Sequence, residues 1–179
     1  TLAGPGSLYL QDGVVLTNQS GATLNLRSSN IYHYTGAATK VVNAGAVVRD
    51  TGAGTFTISA AFDNAGSVTV LSGTLNLSGG GTHSGSFAVA AATTLNFSAG
   101  AHALSGTSGV AGAGTVVFSG GTVTLSAPYN VTGATTLSGG TVNFNAAVTI
   151  PTLTVSGGTL AGSASVSVTT LSWTGPGLI

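Results

Sequence analysis

The chain has no cysteine and no methionine, no glutamate occurs in it, and charged side chains make up 3% of its 179 residues. Without cysteine there is no disulfide framework and no thiolate to act as nucleophile or metal ligand. That fits an exported bacterial protein. The charged residues are Arg27, Lys40 and Arg49 against Asp12, Asp50 and Asp63, and none follows Asp63. Soluble proteins carry about a quarter charged residues. So few cations exclude nucleic acid as a partner, because phosphate neutralisation needs Lys and Arg. A surface without charge also lacks the repulsion that keeps molecules apart, so self-association is expected.

No run of apolar residues is long enough for a spanning helix. The alternating segments are about half the length of membrane-barrel strands, and aromatics are 6% of the chain. A chain that does not span a membrane is therefore expected. No basic-then-apolar leader opens the sequence at Thr1, so any export signal has been removed or lies upstream. The hydrophobic content of 42% excludes ordinary disorder, and the 29 glycines follow no Gly-X-Y period, which excludes collagen.

What the sequence does have is alternation. Apolar residues recur in pairs around one small polar residue: Phe56/Ile58 around Thr57, Leu75/Leu77 around Asn76, Leu95/Phe97 around Asn96, Val123/Leu125 around Thr124. Period two sends one set inward and the other to solvent, as in a half-buried strand. No segment carries a helical period.

The alternation is itself periodic. Ser-Gly-Gly recurs at Ser119, Ser138 and Ser156, with nearly the same step each time. Asn43-Ala44-Gly45 returns as Asn64-Ala65-Gly66, and the TLNL of 74–77 as the TLNF of 94–97, at steps close to that one. Whole words recurring at such a step mark a repeat architecture, in which each unit covers the apolar side of its neighbour. The expectation is an all-β fold: a parallel β-helix, or β-solenoid, with rungs of about 18–21 residues. Roughly nine rungs at the usual strand spacing make a rod on the order of 43 Å long. One domain spans 1–179, less regular over 1–40 and regular over 41–179. An antiparallel sandwich is the alternative, but its hairpin dipeptides are nearly absent, with Asp12-Gly13 alone present.

The words SGTLNLSGGGTHSGSF, GAGTVVFSGGTVTL and YNVTGATTLSGGTVNF resemble the β-strand repeats of bacterial surface proteins, similar to autotransporter and filamentous-haemagglutinin-type passenger regions. The resemblance covers 41–179 well and 1–40 weakly. It implies export to the cell surface, a right-handed β-helix, and a role as stalk, fibre or adhesin. It supplies no catalytic residue and no cofactor.

The residues themselves point the same way. His33, His83 and His102 are spaced like no compact metal motif; surface or turn positions are expected for them, with His83 and His102 able to stack across one rung. Asp12, Asp50 and Asp63 are isolated, whereas glycoside hydrolysis needs paired carboxylates, so no enzyme is expected. Arg49-Asp50 reads as a solvated turn pair. The GVAGAG of 109–114 lacks the lysine and helix of a phosphate loop, and its glycines read as corner residues. Tyr32, His33 and Tyr34 are the candidate ligand contacts, through rings able to stack on glycans. The candidate end-to-end interface comprises Leu2, Leu8, Leu10, Leu171, Trp173 and Ile179. Trp173 is in phase with Leu171 and reads as core at an open end. The leading function is therefore a structural surface fibre that associates head to tail or continues in a longer chain. The alternative is a glycan-binding adhesin. A polysaccharide-active enzyme or an ice-binding protein, the latter suggested by outward Thr and Asn rows, is the remote reading. Asn-x-Ser/Thr occurs at Asn18, Asn76, Asn96 and Asn130, as a Ser/Thr-rich chain produces without glycosylation.

Overall fold

The computed structural model describes residues 1–178, and every regular element in it is a strand. The strands form three parallel sheets, the faces of a β-solenoid of about eight coils. The first face begins with Leu8–Leu10 and Ile31–His33 and ends with Val166–Trp173; the second runs from Val15–Asn18 to Gly177–Leu178. Each has nine strands, and the third, from Thr23–Asn25 to Tyr129–Val131, has six.

The count is nearer eight coils than nine because the early coils are long. Lys40 pairs with Val15, a step of 25, and Ile58 with Ile31, a step of 27. From Lys40 onward the second face settles: Ala61 follows at 21, Thr122 pairs with Ala101 at 21, Thr141 with Thr122 at 19 and Thr159 with Thr141 at 18. Ser86 to Gly109 on the third face is an exception at 23.

Alternation within each strand puts the apolar set inside. One inward row of the first face reads Leu8, Ile31, Ile58, Leu77, Phe97, Phe118, Leu137, Val155, Trp173, each paired with the next coil. Phe97 and Phe118 stack with ring centroids 5.7 Å apart, and Phe87 meets Phe97 edge-on. Burying a Phe or Leu side chain contributes about 2–3 kcal/mol, so stacked rows of this kind are the main stabilising element.

Glycine makes the corners. At Gly66 a Cβ would lie 2.0 Å from the carbonyl oxygen of Gly45, and at Gly85 1.9 Å from that of Gly66, so this corner closes only without side chains. The Ser-Gly-Gly words form another corner, where Gly121, Gly140 and Gly158 take φ of +69°, +69° and +80°. The third face changes after Tyr129–Val131. Its corner, Gly114 stacked on Gly133, gives way to Pro151, and two eight-residue strands, Val148–Val155 and Val166–Trp173, run through that position.

Candidate functional site

The polar residues inside the solenoid follow from where the corners fall. Asn18, Asn43 and Asn64 occupy one inward row at the end of the second face. Asn18 Nδ2 donates to Asn43 Oδ1 at 2.7 Å, and Asn43 Nδ2 to Asn64 Oδ1 at 2.7 Å. The second proton of each amide goes to a backbone carbonyl of the next strand, Ala46 and Ser67 respectively. The amides satisfy one another and the turning backbone, as buried polar groups require. Burial of Asn18 also removes it as a glycosylation acceptor.

The next position in this row is His83, paired with Asn64 below and Leu104 above. It is fully buried, as is His102, so neither is the surface residue expected; their stacking across one rung is as the spacing suggested. The rings lie 5.4 Å apart and 14° from parallel. His102 Nε2 is 3.1 Å from the carbonyl oxygen of Ala99, so it carries the proton. His102 Nδ1 then accepts from His83 Nε2–H at 3.1 Å. His83 Nδ1 is left without a partner among Phe62, Phe87 and Phe97. Burial pushes His83 down to about 3, helped by its histidine neighbour, and burial pushes His102 down to about 4. Both rings are neutral. No group of three or more His, Asp or Glu side chains able to hold a metal comes together among the described residues.

Arg49 also departs from expectation. It is buried, not a solvated partner of Asp50. Its guanidinium donates to the carbonyls of Leu26, Arg27, Thr51, Gly52 and Gly54 and lies over the Phe56 ring at 5.9 Å. The fork fits because residues 51–54 loop around it and turn their carbonyls toward it; that of Gly54 also accepts from Thr74 N–H of the next coil. Desolvation lowers its pKa. Asp50 turns outward to Arg27 at 2.8 Å, and that hydrogen bond holds its carboxyl below the ordinary range. Asp63 is burdened by desolvation, yet Lys40 at 2.6 Å and the backbone and hydroxyl of Thr82 hold its pKa low. The three acids do not meet.

The accessible chemistry lies on the first face. Tyr9 and Tyr32 are cross-strand partners pointing outward, and Tyr34 donates its backbone N–H to Leu10 O, which places it beside Gln11. Tyr9 lies 5.7 Å from Tyr32 and 5.6 Å from Tyr34, edge-on to the latter. Tyr9, Gln11 and Tyr34 line a cleft of about 430 Å³. Tyr32 and Tyr34 thus come together as candidates, and Tyr9 joins them. His33 does not. It alternates to the other side of the strand, and its Nδ1 is 3.1 Å from Thr39 Oγ1. Tyr9 was hidden because Leu8–Leu10 reaches Ile31–His33 across a coil longer than the repeat step visible in the sequence. The signal that could have found it is the alternation Leu8-Tyr9-Leu10 beside Ile31-Tyr32-His33-Tyr34.

Toward the C-terminus the same face carries outward Thr and Asn rows. Asn96 Nδ2 donates to Asn76 Oδ1 at 3.0 Å, and Ser119 Oγ to Asn96 Oδ1 at 2.9 Å. At the last coil Leu171 and Trp173 continue inward rows but are 50% and 52% exposed. Of the candidate interface residues at the other end, Leu2 and Leu8 are partly buried against the core. Leu10 is buried and offers no contact surface there. Ile179 lies outside the described residues. No helix long and apolar enough to cross a membrane occurs among the described residues. Comparisons with family models, with curated proteins and with solved structures return no match.

Proposed function

We propose that this chain is a segment or subunit of an extracellular structural fibre, built by stacking one coil end to end on another. The observation that carries this reading is the state of Leu171 and Trp173. Both continue rows that are buried in the coils before them, yet among the described residues each is half exposed. Leu160, Val166 and Val168 are partly buried beside the same end. The strand Val166–Trp173 also offers one edge of unpaired backbone N–H and C=O groups, a template for a further parallel strand. A coil added in register covers both defects at once. The scarcity of charge, with none beyond Asp63, leaves no electrostatic repulsion against such a contact. The resemblance of its repeat words to those of bacterial surface proteins favours an extracellular setting.

Sedimentation of the purified chain over a wide concentration range tests the reading, with negative-stain electron microscopy of the same samples. Rods that lengthen with concentration are expected, with Trp173 emission moving to the blue as the ring is buried. Leu171→Asp, which keeps the single tryptophan as reporter, abolishes both changes. A chain that stays monomeric throughout, with Trp173 emission unaltered, refutes self-assembly. A longer polypeptide that continues past Ile179 and shows a blue-shifted Trp173 as a monomer assigns the covering coil to the same chain instead.

A further inference from the structure

We propose that the tyrosine cluster at the start of the first face is a binding site for a neutral pyranose sugar unit of an oligosaccharide. The proposal does not rest on the fibre reading. The outward rings of Tyr9, Tyr32 and Tyr34 lie at the opposite end of the first face from Trp173. A coil stacked on Val166–Trp173 leaves them untouched, while one stacked on Leu8–Leu10 lies beside Tyr9.

Three observations converge on this ligand. The first is the exposure of rings that could have been packed. Tyr9 is 58% and Tyr34 62% exposed in a chain whose fourth tyrosine, Tyr129, is buried with its hydroxyl 2.7 Å from Thr135 Oγ1. Large aromatic surface left open in one cluster marks an interaction site. The second is shape. A cleft of about 430 Å³ lies between Tyr9 and Tyr34, within the range of small-ligand pockets. The edge-on angle of 74° between these rings makes a corner, not a flat wall. A pyranose placed there lays its C–H face on one ring and meets the edge of the other. The third is polarity. Gln11 lines the cleft and brings both a carbonyl acceptor and amide donors, and the phenol hydroxyls add groups of either kind. No charged side chain lines it. A neutral polyhydroxylated ring with one apolar face satisfies every one of these features. A phosphate or sialic acid would bring a charge with no partner. A proline-rich peptide needs a succession of aromatic ridges along a groove, and here the aromatics stop after the first two strands.

The site is tested on the whole chain by saturation-transfer NMR with cellobiose, maltose, lactose and di-N-acetylchitobiose. Ring proton shifts are read from the protein in the same titrations. At least one sugar is expected to receive saturation and to shift the rings of Tyr9 and Tyr34 while leaving buried Tyr129 unmoved. Tyr9→Ala and Tyr34→Ala each weaken binding about tenfold or more. Gln11→Ala weakens it by a few-fold, and Thr136→Ala, far along the same face, changes nothing. Because the rings are exposed, the variants keep their circular dichroism. The shifts in the unaltered protein carry the test should a variant fail to fold. The proposal is overturned if none of the sugars receives saturation, if binding survives both tyrosine replacements, or if a proline-rich decapeptide shifts the same rings while the sugars do not.

Discussion

Mild acid is predicted to unfold this solenoid, through His83 and His102. Their pKa values in the folded chain are about 3 and about 4, against 6.5 for a free imidazole. The fold therefore holds both neutral, while the unfolded chain takes up a proton on each as pH drops through 6.5. The sign follows: the pair takes nothing from stability above pH 6.5, and stability falls progressively from there to the folded values near 3 to 4. Each histidine loses about 1.4 kcal/mol per pH unit in this window. Together they remove about 3 kcal/mol by pH 5.5 and roughly 5 kcal/mol by pH 4.5, a large share of the 5–15 kcal/mol that holds an ordinary domain. Asp50 and Asp63 do not confuse the window. Their folded pKa values lie below 3.8, so their favourable contribution begins to fade only as pH approaches 4. The assay is urea unfolding followed by circular dichroism at pH 7.5, 6.5, 5.5 and 4.5. The control is built from the molecule's own rows: His83→Leu copies Leu104, and His102→Val copies Val123. The double variant is expected to lose the pH slope. A wild-type midpoint unchanged between pH 7.5 and 5, or a slope that survives the double replacement, refutes the reasoning.

Three further outcomes follow from the interior. Asn43→Ala removes the middle amide of the ladder and strands Asn18 Nδ2 and Asn64 Oδ1, lowering stability by about 1–3 kcal/mol in urea titration. Gly66→Ala forces a methyl against the Gly45 carbonyl and is expected to cost about 1–3 kcal/mol, with a lower melting temperature; Gly54→Ala, where nothing lies within 4 Å, changes it little. Arg49→Lys keeps the charge but cannot span carbonyls from Leu26 to Gly54, so it lowers stability by about 2 kcal/mol or more, measured by thermal melts at low and high salt.

The coil was readable along the chain. Period two inside each strand and a recurring step between words such as Ser119-Gly-Gly and Ser138-Gly-Gly are local properties, and they fix which residues face inward and where glycine turns the chain. The inward phase of Trp173 was legible in the same way, because it alternates with Leu171. The signal for the buried histidine was also present, since His83-Ser84-Gly85 follows Asn64-Ala65-Gly66 by one repeat step. Charge and ring nitrogens nevertheless argued for the surface. Only the stacked structure decided which polar groups could be held inside. An asparagine, histidine or arginine is tolerated in the core when the coils above and below supply its partners, and those partners lie a whole coil away along the chain. Loop length sets who they are. Steps of 23, 25 and 27 in the first coils bring Tyr9 over Tyr32 and wrap residues 51–54 around Arg49, and no period read along the chain contains those lengths.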